Sequence, residues 1–396
     1  MKQMPADYNT MDVEIRSQVE DISISEEGAV DDSSLDSRIW GGLSDELVEL
    51  IRAFLPPSAL FRFRCVCKRW NSLCSNPVFN KLYKEITPPT TLSVFILTHD
   101  AYNKRVDSFY LESSKLFKLR LDFLPKEASV LLAEAGGLMC VGSLDPDNST
   151  LWVCNPLTRS WRRLPDCHLR EVCRGGESPL VNMMVKAKGA YTVVVIGDPS
   201  LTNAFSTLLK VYHSEKGIWT QHMNNLSVRS NLSSTSVIRD GVLYWCTMAP
   251  DGLHAYNLEQ GAWSHRRVSF PRLFTPFGCA YLFKVGGRIA LMGLKLGGKN
   301  FSVGLWTLEG EEEHASPAAV QWVVMPYRSI PLIQRHCLVN GYVHKSSVCL
   351  ARSESEMCFQ GNFVKGNWLP GVPFHDQDSQ VKHIWCPYEP RLDIRA

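Results

Sequence analysis

The sequence predicts a mainly β protein, in which a small α-helical domain near the start is followed by a β-propeller of six blades. Three observations lead to this fold class: apolar residues at helical spacing between Leu43 and Leu55, short strand-like runs after Pro89, and a tryptophan motif that recurs about every 50 residues. A chain of 396 residues, 45% of them apolar, is long enough to bury cores of this size.

Residues 1–37 are predicted to form a disordered acidic tail. They include ten acidic and two basic residues, a net charge of −8, whereas the whole chain has a net charge of +2. The segment has one aromatic side chain, Tyr8, and too little apolar surface to fold. A solvated tail is the simpler interpretation, although acidic surroundings also suit phosphorylation by acidophilic kinases. The candidate acceptors are Ser23, Ser25, Ser33 and Ser34.

Residues 38–84 are predicted to form a domain of three short helices. The first has apolar residues at three-and-four spacing, and Ser44 is its predicted N-cap. Pro56 and Pro57 end this helix, and Ser58 is predicted to cap the second. The third spans about Lys68 to Ser75 and ends at Asn76-Pro77. The apolar residues of the three helices are Leu43, Leu47, Leu50, Ile51, Phe54, Leu55, then Leu60, Phe63, Val66, then Trp70 and Leu73.

Three helices of this length cannot shield so many large apolar groups from water by themselves. Either the rest of the chain covers them or a partner protein docks on them, and the pattern alone does not decide between these alternatives.

A resemblance favours the partner. The run from Arg38-Ile39-Trp40, through Phe54-Leu55-Pro56-Pro57, to Phe61-Arg62-Phe63-Arg64-Cys65-Val66-Cys67-Lys68-Arg69-Trp70 closely resembles the F-box. It is especially similar to the F-box of plant F-box/kelch-repeat proteins. Leu43-Ser44 stands where many F-boxes have Leu-Pro, but serine starts a helix equally well.

The resemblance implies a partner and its contact residues. In such proteins the F-box docks on a Skp-type adaptor, which links it to a cullin and a RING subunit. The positions that match the family motif, and are therefore the implied contacts with the adaptor, are Leu43, Leu47, Ile51, Leu55, Pro56, Leu60, Val66, Cys67 and Trp70. Cys65 and Cys67 form a poor zinc site, because neither a second cysteine pair nor a histidine is nearby.

Residues 90–396 are predicted to form the propeller. A polar residue lies six positions before Trp161, Trp219, Trp263 and Trp368, with a turn signal between them. Glycines open apolar runs at Gly137, Gly189, Gly241, Gly287 and Gly341, and are 52, 52, 46 and 54 residues apart by subtraction. This period, with four short strands in each unit, is typical of kelch blades.

Five units follow Gly136, and residues 92–124 supply a sixth without the tryptophan. Trp322 fits the fifth unit if residues 309–319 are an inserted acidic loop. The last strand, Val381 to Tyr388, is expected to pair with the first unit and close the ring, so that a closed propeller leaves the helices without a core to fill. The tryptophans and glycines are expected to be scaffold. Target recognition is expected from loops, of which the longest are 166–180, 224–236, 294–301 and 309–319.

Motifs for catalysis are missing from the sequence: it has no HxH, HExxH, Gly-x-Ser-x-Gly, phosphate-binding or dinucleotide-binding pattern. Cys167, His168 and Cys173 lack zinc spacing and are interpreted as surface residues. Arg266, Arg267 and Arg272 hint at a basic patch, but the weak net charge argues against nucleic acid. Apolar runs are far shorter than the roughly 20 residues of a membrane span. The thirteen scattered cysteines are expected to be reduced thiols inside a cell.

These expectations combine into a non-catalytic substrate adaptor of a ubiquitin ligase, acting in the nucleus or cytoplasm on an unidentified target, with no cofactor, metal, nucleic acid or membrane partner. By analogy with its family, the target is a regulator of plant development. Two alternatives remain open: an interaction scaffold or transcriptional co-regulator that acts without ubiquitination, and a kelch-type metal-dependent enzyme.

Overall fold

The fold is taken from a computed structural model of the chain. It describes residues 20–21, 44–63, 68, 76–86, 93–100, 105–112, 115–119, 121–143, 150–172, 180–186, 189–197, 207–224, 236–248, 251–263, 268, 281–285, 288–297, 300–309, 321–324, 339–344, 347–352, 355–362, 367–373, 381–387 and 391–396.

Two of the helices of the N-terminal domain lie where the sequence predicts them. Helix α1 spans Asp45–Ala53, and the backbone N–H of Leu47 donates to the Ser44 hydroxyl at 3.4 Å, which confirms the predicted N-cap. Helix α2 spans Pro57–Phe63. The prediction that Ser58 caps α2 is wrong, because a proline fits the first position of a helix, where no backbone N–H is needed, and α2 therefore starts two residues earlier than a Ser58 cap would place it.

The next helix was not predicted from the sequence. Asn76-Pro77 was expected to end a helix, and helix α3 begins there and spans Pro77–Ile86. The Asn76 side chain accepts a hydrogen bond from the backbone N–H of Val78 at 2.9 Å, as an N-cap does, and Pro77 occupies the first turn. Of the expected helix at 68–75, only Lys68 is described, and it is helical; the rest lies outside the described residues. A short helix α4, Leu169–Val172, follows later in the chain.

The rest of the described chain is almost entirely strand. In chain order the strands are β1 Glu20–Asp21, β2 Ser93–Asp100, β3 Arg105–Glu112, β4 Lys115–Leu119, β5 Val130–Ala135, β6 Leu138–Gly142, β7 Leu151–Asn155, β8 Ser160–Arg163, β9 Leu180–Val185, β10 Tyr191–Gly197, β11 Thr207–His213, β12 Ile218–Asn224, β13 Ser236–Arg239, β14 Val242–Met248, β15 Asp251–Asn257, β16 Ala262–Trp263, β17 Tyr281–Val285, β18 Arg288–Gly297, β19 Asn300–Glu309, β20 Gln321–Val324, β21 Val339–His344, β22 Ser347–Arg352, β23 Ser355–Asn362, β24 Asn367–Pro373 and β25 Val381–Pro387.

These strands form six sheets within the described residues, antiparallel except for the pairing of β1, and the sheets are the blades of a propeller. Blades 2 to 6 are β5–β8, β9–β12, β13–β16, β17–β20 and β21–β24, each built from four consecutive strands. The first strand of each blade lies beside the first strand of the next, around a ring that β25 completes between β21 and β5. The mainly β fold class and the propeller are thus confirmed.

The ring is closed by the end of the chain, as predicted. Blade 1 combines β25 with β2, β3 and β4, and β25 pairs antiparallel with β2 along its whole length, from Val94 opposite Pro387 to Asp100 opposite Val381. Strand β1 adds to the outer edge of β4 in parallel, with Glu20 opposite Phe117. The predicted acidic tail therefore contributes one short strand, and its other residues lie outside the described part of the chain.

The tryptophan motif marks the outermost strand of a blade. Trp161, Trp219, Trp263, Trp322 and Trp368 lie in β8, β12, β16, β20 and β24. Two of them pack on tyrosines of the adjacent strand: the ring centroids are 5.3 Å apart for Trp219 and Tyr212, and 4.9 Å for Trp263 and Tyr256. These contacts support the prediction that the motif is scaffold.

Among the described turns, the glycines follow the predicted repeat except at Gly341. Gly137 and Gly241 have φ of 83° and 76°, a conformation that side chains disfavour, and each lies in the turn between the first two strands of its blade. Gly341 instead lies inside β21, opposite Leu350, so the last repeat is out of phase with the others. Residues 294–301, expected to be a loop, belong mostly to the long hairpin of β18 and β19.

Candidate functional site

Helix α1 presents a continuous apolar stripe to solvent. Leu47, Leu50, Ile51 and Phe54, which we call the outer face, are 48%, 39%, 41% and 69% exposed. Their spacing of three and four residues places them on one side of the helix. Large apolar side chains clustered in this way are typical of a protein interaction site. Val78, on the neighbouring helix α3, is also exposed.

The opposite side of the helical domain is buried against the propeller. Ala53, Leu60, Phe79 and Tyr83, which we call the inner face, are each no more than 4% exposed. They share one hydrophobic core with blade 2, whose contributing residues are Leu131, Met139, Val141, Trp152, Cys154 and Leu157. Leu124, from the connection into blade 2, and Leu392, beyond β25, complete this core. The expectation that the propeller leaves the helices without a core is therefore wrong for this face.

Blade 2 can hold the helical domain because both surfaces of its sheet are apolar. Along β6, Met139 and Val141 belong to the core shared with the inner face, whereas Leu138 and Cys140 belong to the core shared with blade 3. Strand β7 alternates in the same way. Successive side chains of a strand point to opposite surfaces, so blade 2 is packed between the helical domain and the next blade.

The residues implied as contacts with the adaptor lie in different environments. Leu47 and Ile51 belong to the outer face, and Pro56 is exposed just beyond it. Leu55 is half-buried and packs against the shared core, and Leu60 lies inside that core. The remaining four, Leu43, Val66, Cys67 and Trp70, lie outside the described residues, as does Cys65.

Three further exposed apolar residues, Leu50, Phe54 and Val78, are not among the implied contacts. The helical spacing already placed Leu50 and Phe54 on the same stripe as Leu47 and Ile51, so the periodicity of α1 was a sufficient signal. Val78 could not be found in this way, because Asn76-Pro77 was interpreted as the end of a helix and no helix was predicted after it.

Cys167 and His168, which the sequence places near Cys173, lie in different environments. Cys167 is buried in the core between blades 2 and 3, not at the surface as expected, and its carbonyl accepts a hydrogen bond from the buried Lys210 ammonium at 2.7 Å. His168 is exposed beside Asp166. Among the described residues no group of three metal-ligating side chains comes together. Cys173, Arg266, Arg267 and Arg272 lie outside those residues.

Four of the described cysteines are buried. Cys140, Cys154, Cys167 and Cys246 form no disulfide, and the expectation of reduced thiols inside a cell stays a prediction. Burial raises the pKa of Cys154 to about 12, and burial likewise raises the pKa of Cys140 and Cys246, so all three stay protonated at neutral pH. None of the helices in the described ranges has the length and apolar composition to cross a bilayer.

Two family models match the two domains separately. The F-box domain model matches residues 40–82, which include the outer face and most of the inner face. A model described as "F-box protein At3g26010-like, beta-propeller" matches residues 113–275, which extend from the end of blade 1 through blade 4.

Three relatives from Arabidopsis thaliana align with between 58% and 91% of this chain. F-box only protein 6 is 29% identical over 283 residues, which cover 70% of this chain and 57% of the relative. F-box/kelch-repeat protein At5g43190 is 26% identical over 386 residues, covering 91% of this chain and 89% of the relative. Protein UNUSUAL FLORAL ORGANS is 26% identical over 252 residues, covering 58% of this chain and 55% of the relative.

Alignments with the first three curated relatives span between 55% and 64% of the relatives' lengths. Among solved structures, a nidogen/laminin complex matches with a TM-score of 0.44 and 9% identity over 76% of this chain and 99% of that chain, a likeness too slight to bear on function. The two family models, and the relatives that combine an F-box with kelch repeats, agree with the helical domain and propeller described above. The chain thus carries an F-box domain followed by a β-propeller of an F-box protein family, and it is similar to plant F-box/kelch-repeat proteins.

Proposed function

We propose that this protein is the substrate-recruiting adaptor of an SCF-type ubiquitin ligase. An F-box implies, in general, binding to a Skp-type adaptor, and that adaptor connects to a cullin and a RING subunit. The propeller then binds the target protein. The chain supplies no catalytic group, and the chemistry belongs to the associated enzymes.

The observation that carries this proposal is the asymmetry of the helical domain. The propeller covers the inner face, so the fold of the chain itself accounts for those apolar residues. The outer face stays about half exposed in the described part of the chain, and burying such a stripe against a partner removes apolar surface from water at about 25 cal/mol per Å².

The exposed fraction of each side chain decides which residues we propose as contacts with the adaptor. Leu47, Ile51 and Pro56 remain our proposed contacts with the adaptor, and Leu50 and Phe54 join them. Leu60 is assigned a different role, because it is only 4% exposed and supports α2 from within the shared core.

The mechanism is proximity. A target held on the propeller has its lysines at high effective concentration near the ubiquitin-charged enzyme, so a bimolecular transfer becomes effectively intramolecular. We place this activity in the nucleus or cytoplasm and propose a regulator of plant development as the target class.

The docking is tested by binding of the purified Skp-type adaptor to the double variant Leu47→Asp plus Ile51→Asp. Losing two interface anchors is expected to weaken binding at least about thirtyfold, equivalent to roughly 2 kcal/mol. Both positions are exposed, so the variant is expected to fold. The matched control is Ile218→Asp plus Met223→Asp, which makes the same change at two exposed positions of β12. Equal binding by both double variants would contradict the proposal.

The half-life of the target distinguishes a substrate adaptor from a scaffold that acts without ubiquitination. A substrate adaptor shortens the half-life of the proteins that it binds, and the Leu47→Asp plus Ile51→Asp variant binds them without shortening it. An unchanged half-life on removal of the whole protein would favour the scaffold.

A further inference from the structure

Residues 391–396, which we call the strap, lie between the helical domain and blades 2 and 3. Leu392 is 3% exposed in the core shared with the inner face, and Ile394 is 1% exposed in the core between blades 2 and 3. Two residues of one short segment thus anchor in two different cores.

The strap also makes polar contacts with helix α3. The Asn80 amide donates a hydrogen bond to the Leu392 carbonyl at 2.8 Å, in a buried position. Asp393 accepts hydrogen bonds from Arg391 at 2.9 and 2.6 Å and lies 3.5 Å from the Lys84 ammonium. Of these contacts, the bond to Asn80 matters most, since a buried amide that loses its partner is destabilising, whereas the exposed Lys84 contributes little.

On the propeller side, the strap depends on one asparagine. Asn155 is fully buried, and its side-chain NH₂ donates to the carbonyls of Arg391 at 2.8 Å and Ile394 at 2.7 Å. Its side-chain oxygen accepts from the backbone N–H of Leu157 at 2.9 Å and so shapes the turn before β8. Both hydrogens of the NH₂ group and the side-chain oxygen of Asn155 are therefore hydrogen-bonded.

Asn257 provides an internal comparison, because it occupies the same place in the tryptophan repeat of blade 4. Its side-chain oxygen accepts from the backbone N–H groups of Glu259 and Gln260 at 3.0 and 2.9 Å, the same turn-forming role. Formation of the turn is thus a sufficient reason for asparagine at this position in both blades. The two hydrogen bonds to the strap are an additional role of Asn155.

We propose that the strap is a positioning element that holds the helical domain in one orientation on blade 2, with Asn155 as its anchor on the propeller and Asn80 as its anchor on the helix. The orientation of the outer face relative to the ring is then fixed by the fold and does not depend on the connection between α3 and β2. The part of this inference that concerns ubiquitin transfer rests on the proposed function. There, a fixed orientation sets the distance between a bound target and the charged enzyme.

The strap is tested by amide hydrogen exchange of the full chain, purified with its Skp-type partner if that is needed for solubility. The variants are Asn155→Asp, which keeps the turn-forming oxygen but removes the NH₂ donor, and Leu392→Ala. Exchange in Pro77–Ile86 is expected to become at least tenfold faster in both, and to return to within twofold of the original rate in Leu392→Met.

Two matched controls isolate the effect. Asn257→Asp makes the same change in the turn of blade 4, and Leu253→Ala opens the same kind of cavity in a blade 4 core. Both are expected to leave exchange in Pro77–Ile86 within twofold of the original. Wild-type exchange there in Asn155→Asp and Leu392→Ala would overturn the proposal. Uniformly faster exchange in all six blades would also overturn it, since the strap would then support the fold and not the orientation.

A second measurement connects the strap to the ligase. In a reconstituted reaction, Leu392→Ala is expected to lower ubiquitin transfer to a bound target at least fivefold while its affinities for target and adaptor stay within twofold. Unchanged transfer would show that orientation does not limit the reaction. If the unaltered protein transfers nothing, the proposed function fails, and the exchange experiment still decides whether the strap positions the domain.

Discussion

The two faces of the helical domain have similar apolar composition but opposite surroundings. Ala53 and Phe54 are neighbours in the chain, yet the first is fully buried and the second is 69% exposed. The inner face has its partner within the same chain, in blade 2 and the strap, whereas the outer face stays about half exposed. Apolar spacing therefore indicates which residues must be shielded from water. Only the fold indicates whether the residues that shield them belong to the same protein.

The largest effect is expected from the inner face. Phe79→Ala removes a ring that is 1% exposed in the shared core, and such a truncation typically costs about 3–5 kcal/mol of the free energy of unfolding. Val78→Ala is the matched control on the same helix, because Val78 is 71% exposed and its truncation is expected to cost less than about 0.5 kcal/mol. Equal denaturant midpoints for the two variants would show that the inner face is not packed as described.

The outer face is expected to respond in binding and not in stability. Leu50→Ala and Phe54→Ala should each weaken binding of the Skp-type adaptor by about 1–2 kcal/mol, which is roughly fivefold to thirtyfold. Each should change the free energy of unfolding by no more than about 0.5 kcal/mol. Calorimetric titration of the adaptor measures the first quantity, with Ile218→Ala as a control at an exposed position of blade 3. A loss of stability without a loss of binding would reverse the assignment of the two faces.

A smaller effect should appear in both the free energy of unfolding and the affinity for the adaptor when helix α1 itself is destabilised. Ser44→Ala removes the N-cap that accepts from Leu47, at an expected cost of about 1 kcal/mol. Because α1 carries residues of both faces, thermal unfolding and adaptor affinity should fall together. Ser44→Asp retains a capping oxygen and is expected to restore both, so failure of this rescue would show that the hydroxyl has another role.

The smallest effect concerns pH and the strap. Burial alone raises the pKa of Asp393, but the hydrogen bonds and charge of Arg391, together with the charge of Lys84, outweigh it and lower the pKa below its ordinary value. A carboxyl whose pKa is lower in the folded state contributes stability above its unfolded pKa, near 3.9, and loses that contribution as the pH falls through the folded value. Denaturant midpoints of the wild type and Asp393→Asn should therefore differ at pH 6 and converge at acid pH. A difference that stays constant down to pH 2 would contradict this assignment.

Much of the fold was accessible from the sequence because its signals are local. Helical spacing and Ser44 predicted α1, and the tryptophan motif predicted strands joined by tight turns, since each pattern reports a structure formed within a few residues. Helix α3 was missed because Asn76-Pro77 suits the start of a helix as well as a break after one. Its apolar residues Phe79, Leu82 and Tyr83 do have helical spacing.

The division of the helical domain into two faces was not accessible in this way. Leu60 belongs to the family motif just as Leu47 does, and nothing local indicates that one is buried against blade 2 while the other is exposed. The deciding contact joins Asn80 to Leu392, which are 312 residues apart in the sequence. A periodic pattern does not identify such pairs, because many distant apolar segments could pack equally well against the same helical face.

That separation also has a consequence for the order of folding. Blade 1 takes its innermost strand, β25, from beyond all the other blades, and the inner face needs Leu392 to complete its core. Ribosomes add roughly 5–20 residues per second, so the strap is made roughly 15–60 s after helix α3. Throughout that interval the nascent chain carries an F-box whose inner face lacks Leu392. Co-translational chaperones therefore have a longer window to bind this domain than its small size suggests.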